Sequence, residues 1–253
     1  MIDSHCHLTD PRLAQQLDSV LHRAASAGVE RMITIGTDID DAIKALELCR
    51  ALPNVRCAIG IHPNHCAQVS EEDLPRLRQL QSDPSVVALG EMGLDYHHKF
   101  APRQRQYEFL EFQLNLAAEL NRPIVIHCRD AIEDCLAILR GFPTLQGVFH
   151  CFTGSPAEAT KILDAGYYIG FTGAVTFKRN DDLRTACALV PPDRLLVETD
   201  SPYLSPEPVR SQKTNEPSFV MHVAKVVAEV KQVSVDQLDQ ITSANVRNLF
   251  RWP

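Results

Sequence analysis

Two hydrophobic rhythms alternate along the chain. Short runs rich in β-branched and apolar residues, at 2–7, 32–36, 56–61, 86–91, 124–127, 147–150, 168–171 and 195–199, read as strands. Between them the apolar positions recur every three or four residues, as Leu13, Leu17, Val20, Leu21 and Ala24 do, which is the pattern of a helix packed on one face. End signals agree with that division. Asp10-Pro11 supplies a capping carboxylate and a proline whose fixed φ suits a first helical turn, and Gly28 closes the segment. Ser70 with Asp73, and Ser155 with Pro156 and Glu158, have the spacing of N-terminal caps. Further helices are expected over 40–51, 102–121, 132–140 and 181–189, and two more, 216–230 and 234–250, after the last strand.

Strand then helix, eight times in 253 residues, is the arithmetic of an α/β fold of the (β/α)8 barrel type, one barrel over 1–253. A doubly wound open sheet usually carries glycines in its first turn; here the turn reads Ser4-His5-Cys6-His7. A barrel places its chemistry where strands end and loops begin. His5 and His7 close the first strand, His62 follows the third, Glu91 closes the fourth, His127 and His150 end the fifth and sixth, and Asp200 follows the eighth. Five of the ten histidines thus fall on one expected rim. Singly, each is an ordinary hydrogen-bonding group, and Asp200-Ser201-Pro202 an ordinary turn. Jointly they describe a divalent-metal site.

Strand alternation sharpens the assignment. Residues two apart share a face, so His5 and His7 point inward while Cys6 turns toward the helices, as do Cys128 and Cys151 beside His127 and His150. Glu198, two before Asp200, shares its face. Four imidazoles and two carboxylates exceed one tetrahedral zinc and suit two divalent ions. His5, His7 and Asp200 are assigned to one, His127 and His150 to the other, with Glu91 bridging. Zn²⁺ or Mn²⁺ suits the imidazoles, Mg²⁺ less so. Such a pair acidifies a trapped water for attack on an electrophile, with Asp200 placed to take or orient its proton.

Composition narrows the partners. With 25 Lys plus Arg against 32 Asp plus Glu the net charge is -7, which argues against a broad basic face for nucleic acid. Aromatic content of 6% argues against a base-stacking platform. No apolar run reaches membrane-spanning length, and Asp3, His5 and His7 interrupt the first apolar stretch, unlike a signal peptide. The eight cysteines form no C-x-x-C pair and read as reduced thiols, so a cytoplasmic protein is expected, and a chain of this length needs no obligate protein partner to bury a core.

At these residues the sequence resembles the TatD family of metal-dependent deoxyribonucleases, within the amidohydrolase-like metal barrels. The resemblance rests on segments in family order: Asp3-Ser4-His5-Cys6-His7, Gly60-Ile61-His62-Pro63, Gly90-Glu91-Met92-Gly93-Leu94-Asp95-Tyr96, and Pro123-Ile124-Val125-Ile126-His127-Cys128-Arg129-Asp130. It continues through His150-Cys151-Phe152-Thr153-Gly154, Glu198-Thr199-Asp200-Ser201-Pro202-Tyr203-Leu204 and Asn215-Glu216-Pro217. It implies a (β/α)8 barrel with metals at the same six positions, and hydrolysis of a phosphodiester by an exonuclease acting on DNA ends. The family often has two arginines before Asn-Glu-Pro; this chain has Lys213-Thr214. Relatives that bridge their ions through a carboxylated lysine are disfavoured, because Lys99 lies well beyond the fourth strand.

Four sites carry two readings each. Arg129 either clamps a phosphate oxygen or pairs with Asp130. His62 either donates to the phosphate or leaving group or supports the rim. The turn 152–155 either offers N–H groups to an anion or is an ordinary capped helix entry. Lys178-Arg179 is either a phosphate contact or a solvated pair. Three functions follow: a two-metal phosphodiesterase on DNA ends, a hydrolase of a small carboxylic ester, lactone or amide, and a non-catalytic barrel. The last is disfavoured because six costly polar groups would be kept together to no purpose.

Overall fold

The structure, a computed structural model, describes residues 1–70 and 72–252; Glu71 and Pro253, the two other positions of the expected 1–253 barrel, lie outside the described residues. Eight strands form, β1 (Ile2–Cys6), β2 (Arg31–Gly36), β3 (Val55–Ile59), β4 (Val86–Asp95), β5 (Ile124–Arg129), β6 (Gly147–Phe149), β7 (Tyr168–Phe171) and β8 (Leu195–Val197). They follow one another in chain order as parallel neighbours of one sheet, with helices between them, the order of the (β/α)8 barrel class. Most helices lie where the apolar rhythm puts them, and two segments differ. The first breaks into Pro11–Ala14 and Leu17–Ser26, because Gln16 leaves helical geometry at φ -133. The segment at 216 opens with a 3-10 turn, Pro217–Phe219, and becomes α-helical only from Val220.

The described chain packs as two compact units. Met1–Thr34 with Cys151–Pro253 makes the first. Here β1 meets the segment after β8: the Asp200 N–H donates to the His5 carbonyl (2.9 Å), and the His7 N–H to that of Ser201 (2.7 Å). Within β1 one extra residue is inserted against β2, between Asp3 and Cys6. That bulge lies where the side chains of the sequence-predicted site begin, and bulges re-aim side chains. Buried Asn245 closes the outer end of β8 by donating to the carbonyls of Leu195 (2.9 Å) and Pro192 (2.7 Å).

Ile35–His150 makes the second unit. Its core is the apolar run of β3 to β5 packed against helix Arg103–Leu120, whose inward face carries Phe109, Leu110, Leu114 and Ala117. Two buried glutamines interrupt that face seven residues, or two turns, apart. Each grips one strand end by both atoms of its amide. Gln113 accepts from the Ile61 N–H (2.7 Å) and donates to its carbonyl (3.0 Å). Gln106 does the same for Asp95, at 2.8 and 3.0 Å. The helix thus fixes the backbone beside His62 and the end of β4. These buried amides are satisfied, so they add specificity of position without an unpaired polar cost.

Strand β4 runs four residues past its expected end at Glu91. Glycine is the reason. Gly90 and Gly93 have φ of +141 and +148, and a Cβ on Gly93 would collide with the carbonyl of His127. Without it β4 presses against β5, with Gly93 in register with His127 and Asp95 with Arg129. A bulge between Leu89 and Met92 shifts the pairing where Glu91 sits.

Candidate metal centre

In the first unit, His5, His7 and Asp200 bring donor atoms within 4.8 Å of one another. The Asp200 Oδ1 lies 3.3 Å from His7 Nε2 and 3.7 Å from His5 Nε2. Backbone holds this arrangement. Asp200 has φ +54, a left-handed conformation that aspartate tolerates better than most residues, and its N–H is tied to β1. The neighbouring acids brace the loop. Asp3 accepts from both the N–H (2.9 Å) and hydroxyl (2.6 Å) of Thr199. Glu198 accepts from Ser4 Oγ (3.0 Å) and the Cys151 N–H (2.6 Å), fully buried as its shared face with Asp200 implies. Burial, with Glu198 nearby, pushes the Asp3 carboxyl up to about 7 against its hydrogen bonds to Thr199. Asn215 donates to the carbonyls of Thr199 (2.9 Å) and Tyr203 (2.6 Å), so the Asn215-Glu216-Pro217 motif buttresses the Asp200 loop, while Glu216 is gripped by Arg23.

In the second unit, one buried carboxylate gathers three imidazoles. Glu91 Oε1 lies 2.6 Å from His150 Nε2, 2.8 Å from His127 Nδ1 and 3.2 Å from His62 Nε2. The other nitrogen of His127, Nε2, meets Asp95 Oδ2 at 3.0 Å. Glu91, Gly93 and Asp95 share one strand face by alternation, so the two acids straddle the His127 ring across the glycine that lets it approach. Burial pulls the His127 pKa down, but Asp95 and Glu91 outweigh it and push it up to about 10, which favours the imidazolium while no cation is bound. Burial would raise Glu91 and Asp95, yet their imidazole partners hold both well below the carboxylate range. His62 goes the other way. Burial outweighs Glu91 and lowers it to about 4, and its Nδ1 accepts the Asn64 N–H at 3.0 Å, which leaves the proton on Nε2.

All six expected ligands thus fall in one or other cluster. His62, expected outside the ligand set, lies against the second cluster, its Nε2 3.2 Å from Glu91 Oε1 and its ring centre 4.3 Å from that of His127. Arg129 is half-buried at the end of β5, two residues beyond His127, and its carbonyl accepts the Tyr96 N–H. The turn at 152–155 is a capped helix entry: Glu158 accepts from the N–H and hydroxyl of Ser155, at 2.7 and 2.8 Å. Lys178 and Arg179 are exposed. Asp95 was missed as a site residue; its alternation with Glu91 was the available signal. The imidazole and carboxylate donors of both clusters fit Zn²⁺ or Mn²⁺.

The sequence matches the family described as "TatD related DNase" over residues 2–251. It is 40% identical, over 99% of each chain, to a protein of Bacillus subtilis named "Uncharacterized metal-dependent hydrolase YabD". It is 39% identical to the "3'-5' ssDNA/RNA exonuclease TatD" of Erwinia billingiae, over the whole of both chains. The crystal structure of YjjV, a TatD homolog from Escherichia coli K12, superposes with a TM-score of 0.95 at 30% identity, covering 100% of this chain and 98% of that one.

Proposed function

The chain belongs to the family of TatD-related DNases, and from that premise we propose a 3′-to-5′ exonuclease that trims single-stranded ends of DNA or RNA with two divalent ions. The observation that carries this reading is the pair of donor clusters. His5, His7 and Asp200 would hold one ion; Glu91, His127 and His150 would hold the other. Bound there, divalent ions acidify water and offset the charge that develops on a phosphate. The chain's own groups do the rest. Asp200 takes or orients the proton of the attacking water, and Glu91 keeps the second cluster's imidazoles aimed at one point. His62, neutral and protonated on Nε2, donates to the phosphate or leaving group. Arg129 binds a non-bridging oxygen through its guanidinium.

Residues 1–253 act as one catalytic domain. The eight cysteines are free thiols, which fits a reducing compartment, the cytoplasm. Among the described residues no helix is long and apolar enough to cross a membrane.

The test uses protein stripped of metal and resupplied with Zn²⁺, Mn²⁺ or Mg²⁺, against end-labelled single-stranded and duplex DNA and a panel of carboxylic esters. Metal-dependent laddering from the 3′ end is expected, and its loss in Glu91→Ala excludes a contaminant. Ester turnover with intact DNA overturns the nuclease reading in favour of carbonyl hydrolysis.

A further inference from the structure

The most exposed of the large hydrophobic side chains among the described residues lies directly beyond the β4 end of the second cluster. Phe100 is 64% exposed, more than Leu189, Tyr203 or Leu120. A phenyl ring left in water forgoes a substantial hydrophobic gain. Phe100 is also packed on one face. His98 stacks under it, with ring centres 5.5 Å apart and planes tilted by only 15°. His97 meets the edge of His98 at 4.9 Å.

This stack is suspended from the cluster. The Asp95 Oδ2 that lies 3.0 Å from His127 Nε2 lies 2.8 Å from His98 Nδ1. Its Oδ1 accepts the N–H groups of His97 (3.0 Å) and His98 (2.8 Å), so the loop cannot turn independently of the carboxylate. Gln106 in turn clamps the Asp95 backbone. Two hydrogen bonds therefore separate an expected metal ligand from a flat aromatic face that is open to solvent. Exposed Lys99 lies between the two stacked residues in sequence, and Arg103, beyond them, stacks over Tyr96 at 3.7 Å.

We propose that the Phe100–His98 stack is a nucleobase platform, on which a base near the scissile end of a single strand lies flat while its phosphate enters the metal cluster. The proposal rests on the nuclease reading. Stacking of this kind is tolerant of sequence because every base has a π-face, and Lys99 supplies a cation for the backbone. The chain's aromatic content of 6% excludes a surface built from such rings, not a single local pair.

The experiment compares the unaltered protein, Phe100→Ala and Phe100→Trp on two single-stranded DNA oligonucleotides. One has all its bases; the other lacks bases on its terminal 3′ nucleotides. Preference for the complete end, the ratio of the two kcat/KM values, is expected to fall about tenfold in Phe100→Ala, through KM, and to return in Phe100→Trp. An unchanged ratio in Phe100→Ala overturns the platform. In parallel, an oligonucleotide with a fluorescent purine analogue at its 3′ end reports stacking by quenching, without turnover. Quenching that Phe100→Ala abolishes, in a protein that cleaves neither oligonucleotide, upholds the platform and overturns the nuclease reading. Absence of quenching in the unaltered protein overturns the platform.

Discussion

The two donor clusters are built by opposite means. In the first unit the backbone sets the geometry: Asp200 is locked at positive φ, tied to β1 through its N–H, and braced by Asn215 and by Asp3 through Thr199. Its carboxylate stands 3.3 to 3.7 Å from the imidazoles it would join around an ion. In the second unit the side chains set the geometry. Glu91 and Asp95 hold His127 at 2.8 and 3.0 Å, and Glu91 holds His150 at 2.6 Å, so contacts between side chains fix where the rings lie. A cluster shaped by backbone keeps its form whatever its protonation. One shaped by ion pairs must give up a proton before it takes a cation.

Removing one carboxylate from each cluster tests that contrast most severely. Asp200→Ala and Glu91→Ala should each lower kcat/KM on single-stranded DNA by about 10³-fold, the size expected when a group that stabilises developing charge is lost. Elemental analysis should show one ion per chain retained in each variant. An Asp200→Ala protein of unchanged rate would break the comparison, since the backbone-built cluster would then have no part in the reaction.

Asp95 offers a finer test. Asp95→Asn keeps the shape but weakens the hold on His127 Nε2, and should reduce metal affinity or activity about 10- to 100-fold, as loss of a ligand's supporting carboxylate does. The matching change in the first unit, Asp3→Asn, acts on Thr199 and on the backbone N–H of His5 rather than on a ligand's ring, and should cost less in metal titrations. Equal losses would mean that both clusters depend on their supporting acids alike.

Proton linkage separates the units in metal-free protein. His127 is raised from 6.5 to about 10, so its stabilisation is complete below pH 6.5 and lost as pH rises through 10. Glu91 and Asp95 are depressed, so theirs is present above the ordinary carboxylate range and lost only in strong acid. Asp3, raised from 3.8 to about 7, keeps a proton in the folded state that it loses when unfolded, so its effect on stability declines between those pH values. Thermal melts in chelator should therefore lose an alkaline decline in His127→Gln and a decline between pH 4 and 7 in Asp3→Asn. Zinc binding at neutral pH, followed by calorimetry in buffers of different ionisation enthalpy, should release a proton that His127→Gln does not. The smallest expected effect is electrostatic: with a net charge of -7, DNA affinity should fall with salt as for only about one or two phosphate contacts. A steep slope, or tight binding after metal removal, would show a basic surface outside both clusters.

Much of this was legible in the sequence. Apolar runs and caps located all eight strands, because periodicity and capping are local properties. The histidines and the two acids stood out because polar side chains at buried strand ends are costly without a purpose. The extension of β4 was not legible, since Gly93 looks like a strand breaker until β5 lies beside it and its missing Cβ is needed. Nor were Gln106 and Gln113, which in a helix of polar and apolar residues look like solvent-facing positions.

The sequence by itself determined the class of fold and the order of the strands and marked the candidate metal ligands, because each depends on spacing along a few neighbouring residues. Tertiary structure alone decided which acid meets which imidazole, and therefore where protons sit. His127 lies 36 residues from Glu91 and 32 from Asp95, and strand register brings them together. The pKa of a buried ring depends on distance to its partners, so that decision belongs to packing.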